Sequence, residues 1–313
     1  MRHRVLAGTY TTDHTSRGIY SLQYEDGKVS DTQLFAEIDS PKYICAEGNL
    51  VASIASAEQG AGVALFDLNG KLLDQLSYEE RTSCYITIHE GRIYTANYHL
   101  GQFSVIGIDG DHLKLINTIQ IREGAGCHQV LFHKDQILIP CLFLDRVMIF
   151  NADLKYAGAI RFPAGTGPRH GVFTKDGSCL YLVSELSNEL FAIDSEDYSC
   201  AWRMSVLPDG KKHLRDTAAI RLSEKEDRIY VSTRTQDILS VIDPAQQKLM
   251  QTHYCGGRHP RDFILLEDHL LVANRYSNSV VSFALNEDGT IGKEENLIEV
   301  PQAVSLAVSD QED

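Results

Sequence analysis

The chain is short of positive charge. Its 313 residues carry 29 Lys and Arg against 43 Asp and Glu, a formal net charge of −14. So acidic a surface lacks the basic patch that nucleic acid or an anionic membrane requires, and neither is expected as a partner. Long apolar runs are missing too. The stretch from Ile137 to Phe143 ends far short of the roughly 20 residues of a membrane-crossing helix. The opening MRHRVLAGTYTT holds no apolar stretch of signal-peptide length, so a cytoplasmic location is expected. The seven cysteines (Cys45, Cys84, Cys127, Cys141, Cys179, Cys200, Cys255) are odd in number and scattered. Without CxxC or HxxxH spacing, no structural metal is expected, and free core thiols suit a reducing compartment. GxGxxG and GxxxxGK(S/T) phosphate loops are absent, as is the GxSxG nucleophile elbow. Nucleotide chemistry and serine-nucleophile hydrolysis both fit poorly, and no cofactor is expected. Linkers, low-complexity tracts and helical periodicity are absent as well, which points to a single domain over residues 1–313.

What the chain does have is a strand-only repeat of roughly 40 to 50 residues. The stretch PRHGVFTKDGSCLYLVSELSNELFAID from Pro168 is echoed by PRDFILLEDHLLVANRYSNSVVSFALN from Pro260. Looser copies begin at Pro41, Ser83, Gly126 and Thr217. One such unit cannot bury both its faces alone, and units that stack radially make a β-propeller. The N-terminal segment lacks the leading strand: Val5 to Tyr10 reads as a second strand and Gly18 to Tyr24 as a third. At the other end, Pro301 to Val308 reads as a leading strand with nothing after it. The two ends complement each other. The expected fold is all-β, a seven-bladed β-propeller of four-stranded blades whose N-terminal blade is closed by the C-terminal strand. Ser195 to Lys212 is expected to be an enlarged loop after blade five.

Antiparallel pairing puts the start of each first strand and the end of each second strand at one rim. Aligning the copies gives Lys42, Cys84, Cys127, Arg169, Ala218, Arg261 and Gln302 at the first rim position. The next position gives Tyr43, Tyr85, His128, His170, Ala219, Asp262 and Ala303. Second strands end at Tyr10, Asn97 with Tyr98, Leu142, Glu185, Thr233 with Arg234, and Asn274 with Arg275. Polar residues converging from several blades on a channel mouth suit a small-molecule site. Bland roles stand beside that reading. Glu185 could pair structurally with a nearby Arg, the asparagines could simply form turns, and the tyrosines could be packing residues.

Nearly the whole chain resembles the seven-bladed lactonases typified by the bacterial cycloisomerase-type 6-phosphogluconolactonase, relatives of carboxy-cis,cis-muconate cyclase. The resemblance is carried by GTYT with GIYSL near the start, ANYHLGQFSVI at 96–106 and HQVLF with DRVMIF at 128–150. It continues in GPRHGVF with VSELSNEL at 167–190, IYVSTRTQDILSVI at 229–242, and PRDF with LLVANRYSNSVVSF at 260–283. The chain departs from the family pattern at Thr233 and at Thr235-Gln236, where Asn and His are usual.

The resemblance implies a metal-independent carboxylic ester hydrolase acting on a sugar lactone, 6-phosphogluconolactone to 6-phosphogluconate, in the pentose phosphate pathway. It places the catalytic group on His128, Arg169, Glu185 and Arg234, with either His128 or Glu185 as the base. His170, Arg261, Arg275, Asn97 and Tyr98 are the expected substrate-binding residues. The expected partner is a small anionic lactone, and the expected state a monomer or weak homo-oligomer. Two alternatives stay open: a non-catalytic ligand-binding or scaffold propeller, and a muconate-type lactonising cyclase.

Overall fold

A computed structural model describes residues 1–309. The strands group into seven antiparallel sheets of four. No α-helix occurs among the described residues, and no helix is long and apolar enough to cross a membrane. Blade one is split. Its second, third and outer strands are Arg2–Thr9, Gly18–Glu25 and Lys28–Glu37, and its inner strand is Ala303–Val308. The joining register runs from Val5↔Val308 to Thr9↔Ala303. Ser309 continues the clasp, donating its N–H to the Arg4 carbonyl (2.9 Å) and accepting from Arg4 Nε through Oγ (3.1 Å). Blades two to seven follow in order, with inner strands beginning at Ile44, Tyr85, Leu131, Pro168, Thr217 and Pro260.

The core lies between the blades rather than inside any one of them. Each of seven apolar clusters joins two neighbouring sheets. One joins Val5 and Leu22 of blade one to Leu271 and Val280 of blade seven, completing the ring. Middle strands are covered on both faces and are buried along their whole length, as Ile229–Thr233 and His269–Asn274 are. Outer strands meet solvent on one face and alternate, as Lys248–Tyr254 does.

The stretch from Ser195 to Lys212 is not one loop. It contains the outer strand of blade five, Cys200–Ser205, whose residues are exposed or half-buried and so leave no apolar signature. The extra length lies in residues 206–216.

Candidate functional site

In blades five and seven the inner strand enters the sheet through a β-bulge, and these bulges set the direction of two site arginines. In blade five Pro168 pairs with Ser184 but His170 with Val183, leaving Arg169 as the extra residue. In blade seven Pro260 pairs with Asn274 and Asp262 with Ala273, which leaves Arg261. Blade four enters by a Cys127↔Cys141 bridge and resumes at Leu131↔Leu138, so His128 lies in an irregular stretch between bridge and strand. A bulge bends its strand and swings the extra side chain off the pleat; Arg261 thereby lines the site's cavity, while Arg169 stays buried behind its wall. Gly126 and Gly167 lead into two of these entries at φ of 74° and 65°, backbone that glycine adopts without strain. Arg275 opens a 3-10 turn, Arg275–Ser277, at the end of the second strand of blade seven.

These elements surround a cavity of about 230 Å³. His128, Glu185, Arg234, Arg261, Arg275 and Tyr98 line it, together with Tyr10, Lys42, Cys84, His99 and His259. Glu185 is clamped by two guanidiniums. Its Oε2 accepts from Arg169 Nε at 2.8 Å, and its Oε1 lies 3.0 Å from Arg234 Nη2. Arg169 is 1% exposed and also donates to the Ala218 carbonyl. Burial pulls the Arg169 pKa down to about 10 against the support of Glu185. Arg169 therefore stands behind the cavity wall and reaches it through Glu185. Arg234 is anchored a second time, by Nε on the Asp216 carbonyl at 3.0 Å.

His128 and His170 form a pair, Nδ1 to Nε2, at 3.1 Å. Both are buried, and His170 packs edge-on against Tyr43 and Tyr85, one layer below the cavity. Burial, then the nearby Arg169, holds both rings well below the usual histidine range, so both stay neutral. His259 packs at a tilt against Tyr276, with ring centroids 4.3 Å apart. Burial, then Arg234 and Arg261, lowers its pKa to about 3.

The opposite wall is cationic. Lys42 Nζ donates to the Thr82 carbonyl at 3.2 Å, and burial lowers its pKa. Arg275 donates from Nε to Gln302 Oε1 at 3.0 Å, its guanidinium 4.0 Å from the centre of the Tyr10 ring. Arg261 donates from Nη1 to the Tyr10 hydroxyl. None of these three cations meets a carboxylate within ion-pair distance among the described residues. In a protein of net charge −14, such a concentration of positive charge focuses the field for an anion.

Asn97 is not among the lining residues. Its amide donates to Glu79 Oε2 (2.8 Å) and the Arg81 carbonyl, and its oxygen accepts from the backbone N–H groups of His99 and Leu100. It builds the turn that presents Tyr98 and His99. Register had put Tyr10, Lys42 and Cys84 on this rim without assigning them a role. His99 and His259 were not on it. His259 stands immediately before the strand-leading Pro260, and that position is the signal that would have found it. No cluster of three or more His, Cys, Asp or Glu side chains poised for a metal occurs among the described residues.

The sequence profile described as "Lactonase, 7-bladed beta-propeller" matches residues 4–308. An uncharacterized protein of Lactococcus lactis subsp. lactis is 29% identical over 96% of this chain and 98% of its own. The 6-phosphogluconolactonase of Bacillus subtilis is 25% identical over 96% of either chain. Among solved structures, a protein from Lactobacillus plantarum superposes with a TM-score of 0.90 at 25% identity, over 99% of this chain and 100% of that one.

Proposed function

The chain belongs to the seven-bladed β-propeller lactonase family, and on that premise we propose that it hydrolyses a phosphorylated sugar lactone, 6-phosphogluconolactone to 6-phosphogluconate, as in the pentose phosphate pathway. The observation that carries this reading is the polarity of the cavity. Three cations without carboxylate partners, Lys42, Arg261 and Arg275, face a wall of neutral His128 and clamped Glu185. An anion and a reacting carbonyl can thus be held at opposite ends of one small molecule.

In this reading the phosphate lies against Lys42, Arg261 and Arg275, and the lactone carbonyl turns toward blades four and five. Water adds to that carbonyl. His128, neutral and hydrogen-bonded to His170 through Nδ1, takes the water proton at Nε2. Both oxygens of Glu185 are occupied by arginines, which favours His128 over Glu185 as the base. Arg234 faces the carbonyl oxygen and stabilises the charge that develops there, while Glu185 fixes its direction. The tetrahedral adduct then collapses, the ring C–O bond breaks, and the acid product loses its proton at neutral pH.

The test is direct. 6-Phosphogluconolactone is generated enzymatically, and its decay is followed with and without the protein against spontaneous hydrolysis. Acceleration in proportion to protein concentration is expected, and its loss in His128→Gln. Decay unchanged at micromolar protein would overturn the reading in favour of a ligand-binding propeller.

A further inference from the structure

We propose that Tyr10 is the general acid that protonates the departing ring oxygen of the lactone. The inference rests on the hydrolytic reading above and adds a residue to it.

Tyr10 follows the second strand of blade one, across the ring from His128 in blade four, and both line the cavity. Its hydroxyl oxygen accepts from Arg261 Nη1. A phenol carries a single proton, and no acceptor among the described residues takes it, so that proton is available to a ligand. The ring is held by the Arg275 guanidinium over its face at 4.0 Å and by Arg261 at 5.1 Å. The charged groups acting on it are Lys42 from the entry to blade two and Arg261 and Arg275 from blade seven. Burial alone would raise the phenol pKa, but these cations outweigh it and the net displacement is downward. Tyr24, Tyr43, Tyr78, Tyr85 and Tyr98 all move the other way, through burial.

Substrate chemistry puts the leaving atom on this wall. In a 6-phosphorylated δ-lactone the ring oxygen and the phosphate-bearing methylene share one carbon. Cations that hold the phosphate therefore hold the departing oxygen beside them. When the adduct collapses, the C–O bond breaks toward the ring oxygen, which would leave as a strongly basic alkoxide. The Tyr10 proton moves to that oxygen, and the phenolate is stabilised by Arg261, Lys42 and Arg275. The proton gathered at His128 then restores the phenol through solvent, so no proton is gained or lost on the enzyme.

The experiment compares two leaving groups. Tyr10→Phe keeps the ring and its stacking on Arg275 and removes the hydroxyl alone. On 6-phosphogluconolactone its kcat should fall about a hundredfold with KM within about threefold of the parent. On the corresponding thiolactone, sulfur leaves as a thiolate and needs no proton, so the loss should shrink to about threefold or less. Equal losses on both lactones, or a raised KM with kcat unchanged, would overturn the role and leave Tyr10 as a ground-state anchor. Lys42→Met serves as the rival: if it shows the leaving-group dependence instead, Lys42 is the acid and the proposal fails. A readout independent of turnover is ultraviolet titration of phenol ionisation. The earliest-ionising tyrosine should vanish in Tyr10→Phe, and its persistence would overturn the assignment. A wild type that opens neither lactone removes the hydrolytic reading and this role with it. A working wild type matched by Tyr10→Phe removes the role alone.

Discussion

Glu185 holds Arg169 and Arg234 at once, and it ties the buried frame to the exposed site. Breaking a buried pair by removing one partner leaves an uncompensated charge and commonly costs several kcal/mol. Glu185→Gln should therefore destabilise by roughly 3 kcal/mol, read as a lowered melting temperature, and should reduce turnover as Arg234 loses its orientation. Arg169→Lys keeps the charge but loses the planar fork, and should lower melting temperature and turnover together. A variant that melts like the parent would assign the pair to the chemistry alone. The buried histidines give a second test at this scale. His128, His170 and His259 have folded pKa values below the ordinary value near 6.5, so the unfolded chain binds protons that the folded chain refuses. Their contribution is complete above about pH 6.5 and is lost as pH falls toward the folded values, by up to about 1.4 kcal/mol per pH unit for each group. Urea unfolding at pH 7.5 and 5.5 should show a clearly lower midpoint at the acid pH. Equal midpoints would mean that the three rings protonate freely in the fold.

The strands were readable because apolar segments and the turn residues between them recur at a regular interval. Register then named the rim of every blade. What escaped was side-chain direction. A bulge is a one-residue shift in pairing, with no fixed composition, yet it is what turns Arg261 into the cavity and Arg169 onto Glu185 behind its wall. Asn97 and Tyr98 adjoin in sequence, but Asn97 points into its own turn while Tyr98 faces the cavity. The outer strand Cys200–Ser205 was hidden because exposed residues carry no pattern. Gly126 tests the entry of blade four directly. It sits at φ 74°, and an added Cβ would lie 3.0 Å from Phe143 Cδ2 and 3.1 Å from Leu142 Cβ. Gly126→Ala should cost about 1–3 kcal/mol and shift His128, so that turnover falls further than thermal stability explains. Unchanged turnover would show that the entry turn does not set the position of His128.

At the scale of the molecule, closure and field matter most. Seven interblade clusters mean that no blade is complete without its neighbours, and blade one depends on both ends of the chain. A chain ending at Val300 lacks Ala303–Val308, which exposes a strand edge and uncovers part of the cluster between blades seven and one. It should melt far below the parent or fail to fold, whereas coincident melting curves would mean that the clasp is dispensable. The ring also concentrates Lys42, Arg261 and Arg275 at one mouth of an otherwise acidic body. Attraction of an anion there is local and weakens with salt. The measurement that bears most directly on a phosphate-anchored lactonase is the ratio of kcat/KM for 6-phosphogluconolactone to that for unphosphorylated δ-gluconolactone, each corrected for spontaneous hydrolysis. The cationic wall predicts a preference for the phosphorylated lactone of about a hundredfold or more at low salt, largely erased in Arg275→Met. Equal rates on the two lactones, or no acceleration of either, would contradict it.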